Sequence, residues 1–475
     1  MLFVSLTFLF LFLPIVLGLY YILREHRNVQ NILLFLVSLV FYAWGEPKYV
    51  VILVLSIICN WLLALLIDKT NSDIFRKIYL ITSIVINVGV LFIFKYLNFF
   101  VAQINRIDGI SFSVREIALP IGISFFTFQA LSYVIDVYRG EKCQRSLLNV
   151  GLYISFFPQL IAGPIVRYNS IENQIMNRVE TIDRFRNGVT RFIQGYAKKV
   201  LLANTTAVIA DKAFDMAEGG YLTVSFAWLG AIAYMLQIFF DFSGYSDMAI
   251  GLGKMFGFEF EENFNYPYVS GSITEFWRRW HISLSTWFRD YVYIPLGGSR
   301  TGNSLHNYFN LFVVWFLTGI WHGANWTFVI WGLLYFVFLV IEKATPFGQF
   351  IGRYRFVGHV YTLLVVCVLW VIFRSGGMSQ ASLYVRTMFG LTDAQLYTGQ
   401  TWVYLKENIA YIVFALILST DVLVRIKKKL NHVLKQGWQR AVIQVAGEIC
   451  LVGVFIISIV YIINGTYNPF IYFHF

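Results

Sequence analysis

Long apolar runs with almost no charge recur along the chain, and they constrain its fold more than any other feature. A membrane-crossing helix needs roughly 20 apolar residues. Runs of that kind begin near Phe3, Asn31, Tyr49, Ile78, Leu119, Val150, Leu222, Tyr308, Trp326, Val357, Asn408 and Val442. The composition, 58% hydrophobic and 13% charged, is too apolar for a water-soluble domain of this size. The sequence predicts an all-α polytopic membrane protein with about eleven transmembrane helices plus interfacial or re-entrant helices.

The basic residues lie mainly in short segments between the apolar runs. Loops enriched in Lys and Arg face the cytoplasm in membrane proteins. Segments 24–27, 69–77, 139–145 and 425–440 are therefore predicted to be cytoplasmic, which places the N-terminus and the C-terminus on the opposite side. Because no extended basic domain exists, nucleic acid is not an expected partner.

The chain has no internal repeat and no long linker, so we expect a single membrane domain, residues 1–475. Two parts of it differ in character: residues 276–298, predicted as a cytoplasmic interfacial helix motif, and residues 442–475, predicted as the last span plus an extracytoplasmic aromatic tail. The four cysteines are scattered without metal-ligand spacing, so neither a metal site nor a disulfide framework is predicted.

The stretch FWRRWHISLSTWFRDYVYIPLGG, residues 276–298, is unusually rich in tryptophan, arginine and tyrosine. On a helical wheel its bulky apolar residues share one face, and Arg278 and Arg289 occupy the adjacent arc. This pattern predicts one amphipathic helix at the membrane interface, with His281 at the border of the two faces. A simple membrane anchor is the alternative interpretation.

A second histidine lies within a long charge-free run. Residues 308–341 contain no Asp, Glu, Lys or Arg, and one straight helix of that length, about 50 Å, exceeds a membrane core of about 30 Å. Gly319, Gly323 and Asn325 therefore predict a break around His322. A neutral imidazole there could accept a proton from a hydroxyl group. A hydrogen-bonded core histidine and a small-residue helix contact are the alternatives.

Four acidic residues also lie in or near the apolar runs. For each of them the sequence favours pairing with a neighbour over a role in chemistry, because a buried carboxylate needs a compensating charge or donor. These residues are Asp136, Asp241, Asp247 and Glu448.

Four motifs together resemble the membrane-bound O-acyltransferase family, in particular the bacterial alginate O-acetyltransferase type of membrane subunit: FWRRWHISLSTWFRDYVYIPLGG, LTGIWHGANWTFVIWG, QIFFDFSGYSDMAIG and LPIGISFFTFQALSYVIDVYRG. The resemblance implies tilted helices around a central funnel or tunnel. It implies catalytic roles for His322 and His281, and it implies a bacterial inner-membrane location. Donor-side binding is assigned to Trp277, Arg278, Arg289 and Asp290, with the arginines attracting donor phosphates.

In that family an acyl group from a cytoplasmic thioester leaves on the opposite face. We therefore expect O-acetylation of an exported polysaccharide, with no bound cofactor and with acetyl-CoA or an acyl carrier protein thioester as donor. Expected partners are extracytoplasmic acetyltransferase subunits, membrane lipid and, indirectly, the polysaccharide. The alternatives are D-alanyl export for teichoic acid and a transporter without group transfer, although transporters often contain repeated halves.

The sequence ends in GTYNPFIYFHF, with four Phe or Tyr among the last eight residues. So apolar a tail is expected to fold back onto the protein or to bind a partner. In the D-alanyl branch of the family, a separate small subunit ends in a similar aromatic segment whose tyrosine is thought to carry the acyl group. The resemblance implies that Tyr472 takes this part here. An interfacial anchor is the alternative.

Overall fold

The computed structural model describes residues 1–108, 111–113, 117–300, 302–433, 437–465 and 471, with only the backbone described for residues 431–433. Secondary structure in these residues is helical, without strands. Eight helical stretches are long and apolar enough to cross a membrane: Arg27–Gly45, Val50–Lys69, Asp73–Ile104, Val224–Met255, Trp326–Ala344, Arg355–Arg374, Gly399–Leu418 and Gly437–Asn464. Shorter apolar helices are Phe8–Ile22 and Ile123–Tyr138. The prediction of an all-α polytopic membrane protein is confirmed, whereas the count of eleven spans stays a prediction.

The chain divides into two compact units, and the first comprises Met1–Phe192 and Ser246–Glu261. Its α-helices are α1 (Leu13–Ile22), α2 (Arg27–Gly45), α3 (Val50–Lys69), α4 (Asp73–Leu91), α5 (Leu97–Ile104), α6 (Ile123–Tyr138), α7 (Leu147–Ser155), α8 (Phe157–Leu160) and α9 (Tyr168–Asn177). Apolar helices α3 and α4 are joined by a buried amide pair, in which Asn87 Nδ2 donates to Asn60 Oδ1 at 2.7 Å. Such polar contacts strengthen helix association where apolar surfaces alone give little preference.

The second unit comprises Ile193–Tyr245 and Glu262–Phe475. Its helices are α11 (Asn204–Glu218), α13 (Ile273–Arg279), α14 (Ile282–Phe288), α15 (Ser304–His322), α16 (Trp326–Ala344), α17 (Phe347–Arg353), α18 (Arg355–Arg374), α19 (Met378–Met388), α20 (Gly399–Leu418), α21 (Val422–Val433) and α22 (Gly437–Asn464). Helices α10 (Ile182–Ala197) and α12 (Val224–Met255) contribute residues to both units. Tryptophan, tyrosine and phenylalanine side chains dominate the core of the second unit.

Residues 276–298 differ from the single helix that their periodicity predicts. Helix α13 ends at Arg279, His281 has a left-handed backbone (φ 45°), and α14 begins at Ile282. Backbone groups at the break bond to a neighbouring loop: Asn265 N–H donates to the Arg279 carbonyl oxygen at 2.9 Å, and Ile282 N–H donates to the Asn263 carbonyl oxygen at 3.0 Å. Hydrogen bonds from outside the segment thus replace part of the helical ladder.

The apolar face predicted for this segment is turned into the protein. Trp277, Trp280, Leu284, Trp287 and Phe288 are all buried. The periodicity therefore identified the correct buried face, although the helix is interrupted. A position at the cytoplasmic membrane interface stays a prediction.

The acidic residues on α12 are paired, as the sequence predicts. Asp247 Oδ1 lies 2.6 Å from Arg191 Nη2, and Asp241 Oδ1 lies 2.7 Å from Lys199 Nζ. Both carboxylates are buried. Each ion pair offsets the cost of removing a charge from water.

Candidate active site

His281 lies at the break between α13 and α14, inside the protein with 1% of its surface exposed. The start of α13 is fixed from two directions. Ser272 Oγ accepts a hydrogen bond from Glu275 N–H. The Glu342 carboxylate accepts bonds from the N–H groups of Ile273 and Thr274 at 2.6 and 3.0 Å. Because α13 is held at its first turn, the position of the break that follows it is well defined.

The Asn263 side chain determines which nitrogen of His281 carries the proton. Asn263 Oδ1 accepts from the Ser283 N–H at 3.1 Å and from Ser283 Oγ at 2.9 Å, so it is an acceptor. His281 Nδ1 lies 3.2 Å from the same oxygen and must therefore donate. A neutral imidazole with a proton on Nδ1 has its lone pair on Nε2. Nε2 is buried, and among the residues that the structure describes it has no hydrogen-bond partner.

Burial also keeps His281 neutral. Desolvation lowers the pKa of this imidazole from 6.5 to about 3, because the charged form loses its hydration inside the protein. At neutral pH the residue is therefore an uncharged base with a free lone pair. Such a group can accept a proton from a thiol or a hydroxyl group.

His322 lies at the break that the sequence predicts. Helix α15 ends at His322, and α16 begins at Trp326 after Asn325, whose Oδ1 accepts a hydrogen bond from the Thr327 N–H at 3.1 Å. The imidazole is buried, with 5% of its surface exposed. The prediction of a broken helix around His322 is confirmed.

Glycines bring α15 and α16 into close contact on either side of this break. A Cβ atom on Gly319 would lie 2.6 Å from the Phe328 carbonyl oxygen, and one on Gly332 would lie 2.5 Å from the Trp315 carbonyl oxygen. Gly319 therefore serves a small-residue helix contact, which is one of the alternatives left open by the sequence. That contact sets where the end of α15, and with it His322, lies.

A single tryptophan ring bridges the two histidines. The Trp321 ring centroid lies 6.1 Å from that of His281 and 4.9 Å from that of His322. His322 also contacts Trp331 at 5.1 Å and Phe373 at 5.2 Å. Both candidate catalytic residues thus belong to one buried aromatic site in the second unit.

The other predicted site residues lie in two kinds of surroundings. Trp277 is buried, with ring centroids 4.8 Å from Trp315 and 4.9 Å from Tyr335. Arg278 and Arg289 are exposed, and Arg289 Nε donates to Asp290 Oδ1 at 2.7 Å. The arginines are therefore on the surface, whereas His281 lies inside the protein, so these residues do not share one edge of a helix.

Tyr472 lies outside the described residues.

Within the part of the chain that the structure describes, no group of three or more His, Cys, Asp or Glu side chains could hold a metal ion. The site brings together two imidazoles in aromatic surroundings.

Comparison with known proteins identifies the family. The model of the membrane-bound O-acyltransferase family matches residues 39–385, a range that contains both histidines. This chain is a member of the membrane-bound O-acyltransferase family. It is an O-acyltransferase.

Individual relatives of this O-acyltransferase include two that match most of its length. The chain is similar to a probable alginate O-acetylase AlgI of Pseudomonas putida, 45% identical over 402 residues, covering 83% of this chain and 82% of the relative. A peptidoglycan O-acetyltransferase of Helicobacter pylori is 36% identical, with 82% and 80% covered. A teichoic acid D-alanyltransferase of Bacillus subtilis is 32% identical, with only 46% and 58% covered.

One residue of the candidate site, Asn263, was not predicted from the sequence. Asn263 lies in the polar stretch EENFNYPY, where Asn and Pro are ordinary loop residues. Its side chain nevertheless orients His281 and the first turn of α14. Nothing in the local sequence distinguishes it from Asn265, two positions further on.

Proposed function

We propose that this O-acyltransferase takes an acetyl group from a cytoplasmic thioester and passes it across the membrane for O-acetylation of an exported polysaccharide. The observation that carries the proposal is the pair of buried histidines joined through Trp321, within the region matched by the family model. Acetyl is preferred to D-alanyl because the O-acetylating relatives match most of the chain, whereas the D-alanyltransferase matches less than half of it.

In the proposed reaction His322 is the general base. A hydroxyl oxygen attacks the carbonyl carbon of the thioester, His322 accepts the hydroxyl proton, and the thiolate leaves and takes up that proton. The new bond is an ester, and the free thiol is the second product. His281, neutral and with its Nε2 lone pair free, assists near the thioester.

The first acyl acceptor in this proposal is the phenol oxygen of Tyr472. Its ester would then pass the acetyl group to an extracytoplasmic acetyltransferase subunit, which would modify the polysaccharide. The donor is acetyl-CoA or an acyl carrier protein thioester. Exposed Arg278 and Arg289, with Asp290 and Trp277, form the donor side, where positive charge attracts phosphate.

The membrane arrangement in this proposal follows the charge distribution. The protein forms one functional membrane domain in a bacterial inner membrane. Basic residues 425–440 face the cytoplasm, and both termini face the other side. The thioester then enters from the side on which it is made, and the acetyl group leaves on the side of the exported polymer.

The test is to replace His322 by glutamine and to measure acetyl groups on the exported polymer. Glutamine keeps most of the buried volume but cannot act as a base at neutral pH. We expect acetylation to be lost at normal protein abundance. His26→Gln is the matched control, because His26 is exposed, and it should acetylate normally. Retained acetylation in His322→Gln would refute the assignment of the base.

A further inference from the structure

A buried ion pair lies in the core of the second unit. Lys199 belongs to a π-helical turn, Lys198–Ala203, and Asp241 lies on α12. The side chains are only 4% and 2% exposed, with Lys199 Nζ at 2.7 Å from Asp241 Oδ1. Because a buried charge is costly without a partner, each residue needs the other. This contact involves Oδ1, one of the two carboxylate oxygens of Asp241.

The second oxygen of Asp241 binds the C-terminal segment. Asp241 Oδ2 accepts a hydrogen bond from the backbone N–H of Ile471 at 2.8 Å. Ile471 is the only residue after Gly465 that the structure describes, and it is 5% exposed and part of the hydrophobic core of the second unit. The expectation that the tail folds back onto the protein is confirmed for this residue. A hydrogen bond from a backbone N–H to a carboxylate is stronger than a hydrogen bond between two neutral groups.

We propose that Asp241 is a latch that holds Ile471, near the C-terminus, at a fixed position in the protein. The carboxylate is paired with Lys199 and accepts the hydrogen bond from the Ile471 N–H, and the buried Ile471 side chain adds an apolar contact. Lys199 orients the carboxylate. Asp241 is thus a positioning residue and takes no part in bond making.

The latch lies next to the candidate active site. Phe242 follows Asp241 on α12, and its ring centroid is 4.6 Å from that of His281. Consecutive Cα atoms are about 3.8 Å apart, so one short stretch of α12 both anchors Ile471 and packs against His281. On the proposed function, which this step requires, loss of the latch at Ile471 should impair acyl transfer through the adjacent tyrosine.

Two variants remove the latch in different ways. In Asp241→Asn one of the two carboxylate oxygens becomes an NH₂ donor, so either the ion pair with Lys199 or the hydrogen bond from the Ile471 N–H is lost. In the double variant Lys199→Met with Asp241→Leu both charges disappear. Proteins often tolerate replacement of a buried ion pair by apolar residues of similar volume. The double variant therefore tests the latch even if the single variant folds poorly.

The experiment measures how fast a cysteine at position 471 reacts with a membrane-impermeant maleimide. It uses the full-length protein in membranes, with the four native cysteines replaced by alanine. The substitution Ile471→Cys retains the backbone N–H. We expect slow labelling in this parent and labelling at least tenfold faster in the double variant, in which position 241 has no acceptor oxygen. Asp247→Asn is the control, since Asp247 is another buried acid of α12, paired with Arg191, and it should label as slowly as the parent.

Fast labelling of the parent, or equal rates in the parent and in the double variant, would overturn the latch. Polymer acetylation is measured on membranes that contain the same variants with isoleucine at position 471. This second measurement separates failure of the latch from failure of the proposed function. If the labelling rate is unchanged and acetylation still depends on His322, the latch is rejected and the proposed function is retained. Faster labelling with normal acetylation supports the latch and rejects a role of the tail in acyl transfer.

Discussion

Replacing Asn263 by alanine should slow acetyl transfer by roughly ten- to a hundredfold, because this side chain holds His281 in one tautomer. Asn263 Oδ1 accepts three hydrogen bonds, two from Ser283 and one from His281 Nδ1. Leaving a buried donor without its acceptor costs about 1–3 kcal/mol. About 1.4 kcal/mol corresponds to a factor of ten in rate. Loss of the bond to His281 alone therefore accounts for the expected range, and loss of the Ser283 bonds should lower stability as well.

The assay is acetyl incorporation into polymer, normalised to the amount of folded protein in the membrane. Asn265→Ala is the matched control, because Asn265 is exposed and takes part in its hydrogen bonds with Arg279 only through its own backbone atoms. Asn263→Asp keeps an acceptor oxygen near His281 and should retain more protein and more activity than Asn263→Ala. A normal rate in Asn263→Ala at normal abundance would show that transfer does not depend on the orientation of His281.

Three further outcomes are expected. His281→Asn, which retains a residue tolerant of positive φ, should flatten the pH dependence of stability. Because the pKa of His281 in the folded protein is lowered to about 3, only the unfolded protein binds a proton at this residue between about pH 6.5 and 3. The wild-type protein therefore has its full stability above this window, and its free energy of unfolding falls by about 2 kcal/mol from pH 7 to 5. An equal dependence of the melting temperature on pH in wild type and His281→Asn would contradict this. Tyr472→Phe should stop polymer acetylation at normal abundance while Tyr467→Phe has little effect, and acetylation by Tyr472→Phe would exclude the phenol as acceptor. Gly332→Ala places a methyl group 2.5 Å from a carbonyl oxygen of α15 and should lower the melting temperature in detergent. Gly453→Ala is the control and should not lower it, because a Cβ atom at Gly453 would meet no heavy atom of the described residues within 4 Å. Equal melting temperatures of the two variants would argue against the close contact.

The helix break at His322 could be predicted from the sequence because it follows from the length of the charge-free run. A charge-free run longer than a membrane core must tilt or break, and the glycines and Asn325 showed where. The observed end of α15 at His322 and the cap at Asn325 agree with that argument. Pairing of Asp241 was likewise predictable from the cost of a buried charge, although nothing in the sequence identified Lys199 as its partner.

The break at His281 was not accessible in the same way. Helical periodicity describes which side chains share a face, and it correctly predicted burial of Trp277 and Trp280. It does not register hydrogen bonds from a distant loop, and those bonds, from residues Asn263 and Asn265, interrupt the helix at His281. The left-handed backbone there is uncommon for a residue other than glycine. Tertiary structure therefore overrides the local pattern at the residue where the chemistry is proposed.

The aromatic rings around His322 affect which molecule, an alcohol or water, reaches the proposed base. A base that can remove a proton from an alcohol can also remove one from water, and water at an energy-rich thioester would waste the acyl group by hydrolysis. Trp321, Trp331 and Phe373 surround the imidazole with ring centroids 4.9 to 5.2 Å away. Apolar surfaces of this kind offer water few hydrogen-bond partners. On the proposed mechanism the enzyme would favour alcohol over water by restricting access to the base, without any difference in the basicity of His322 toward the two.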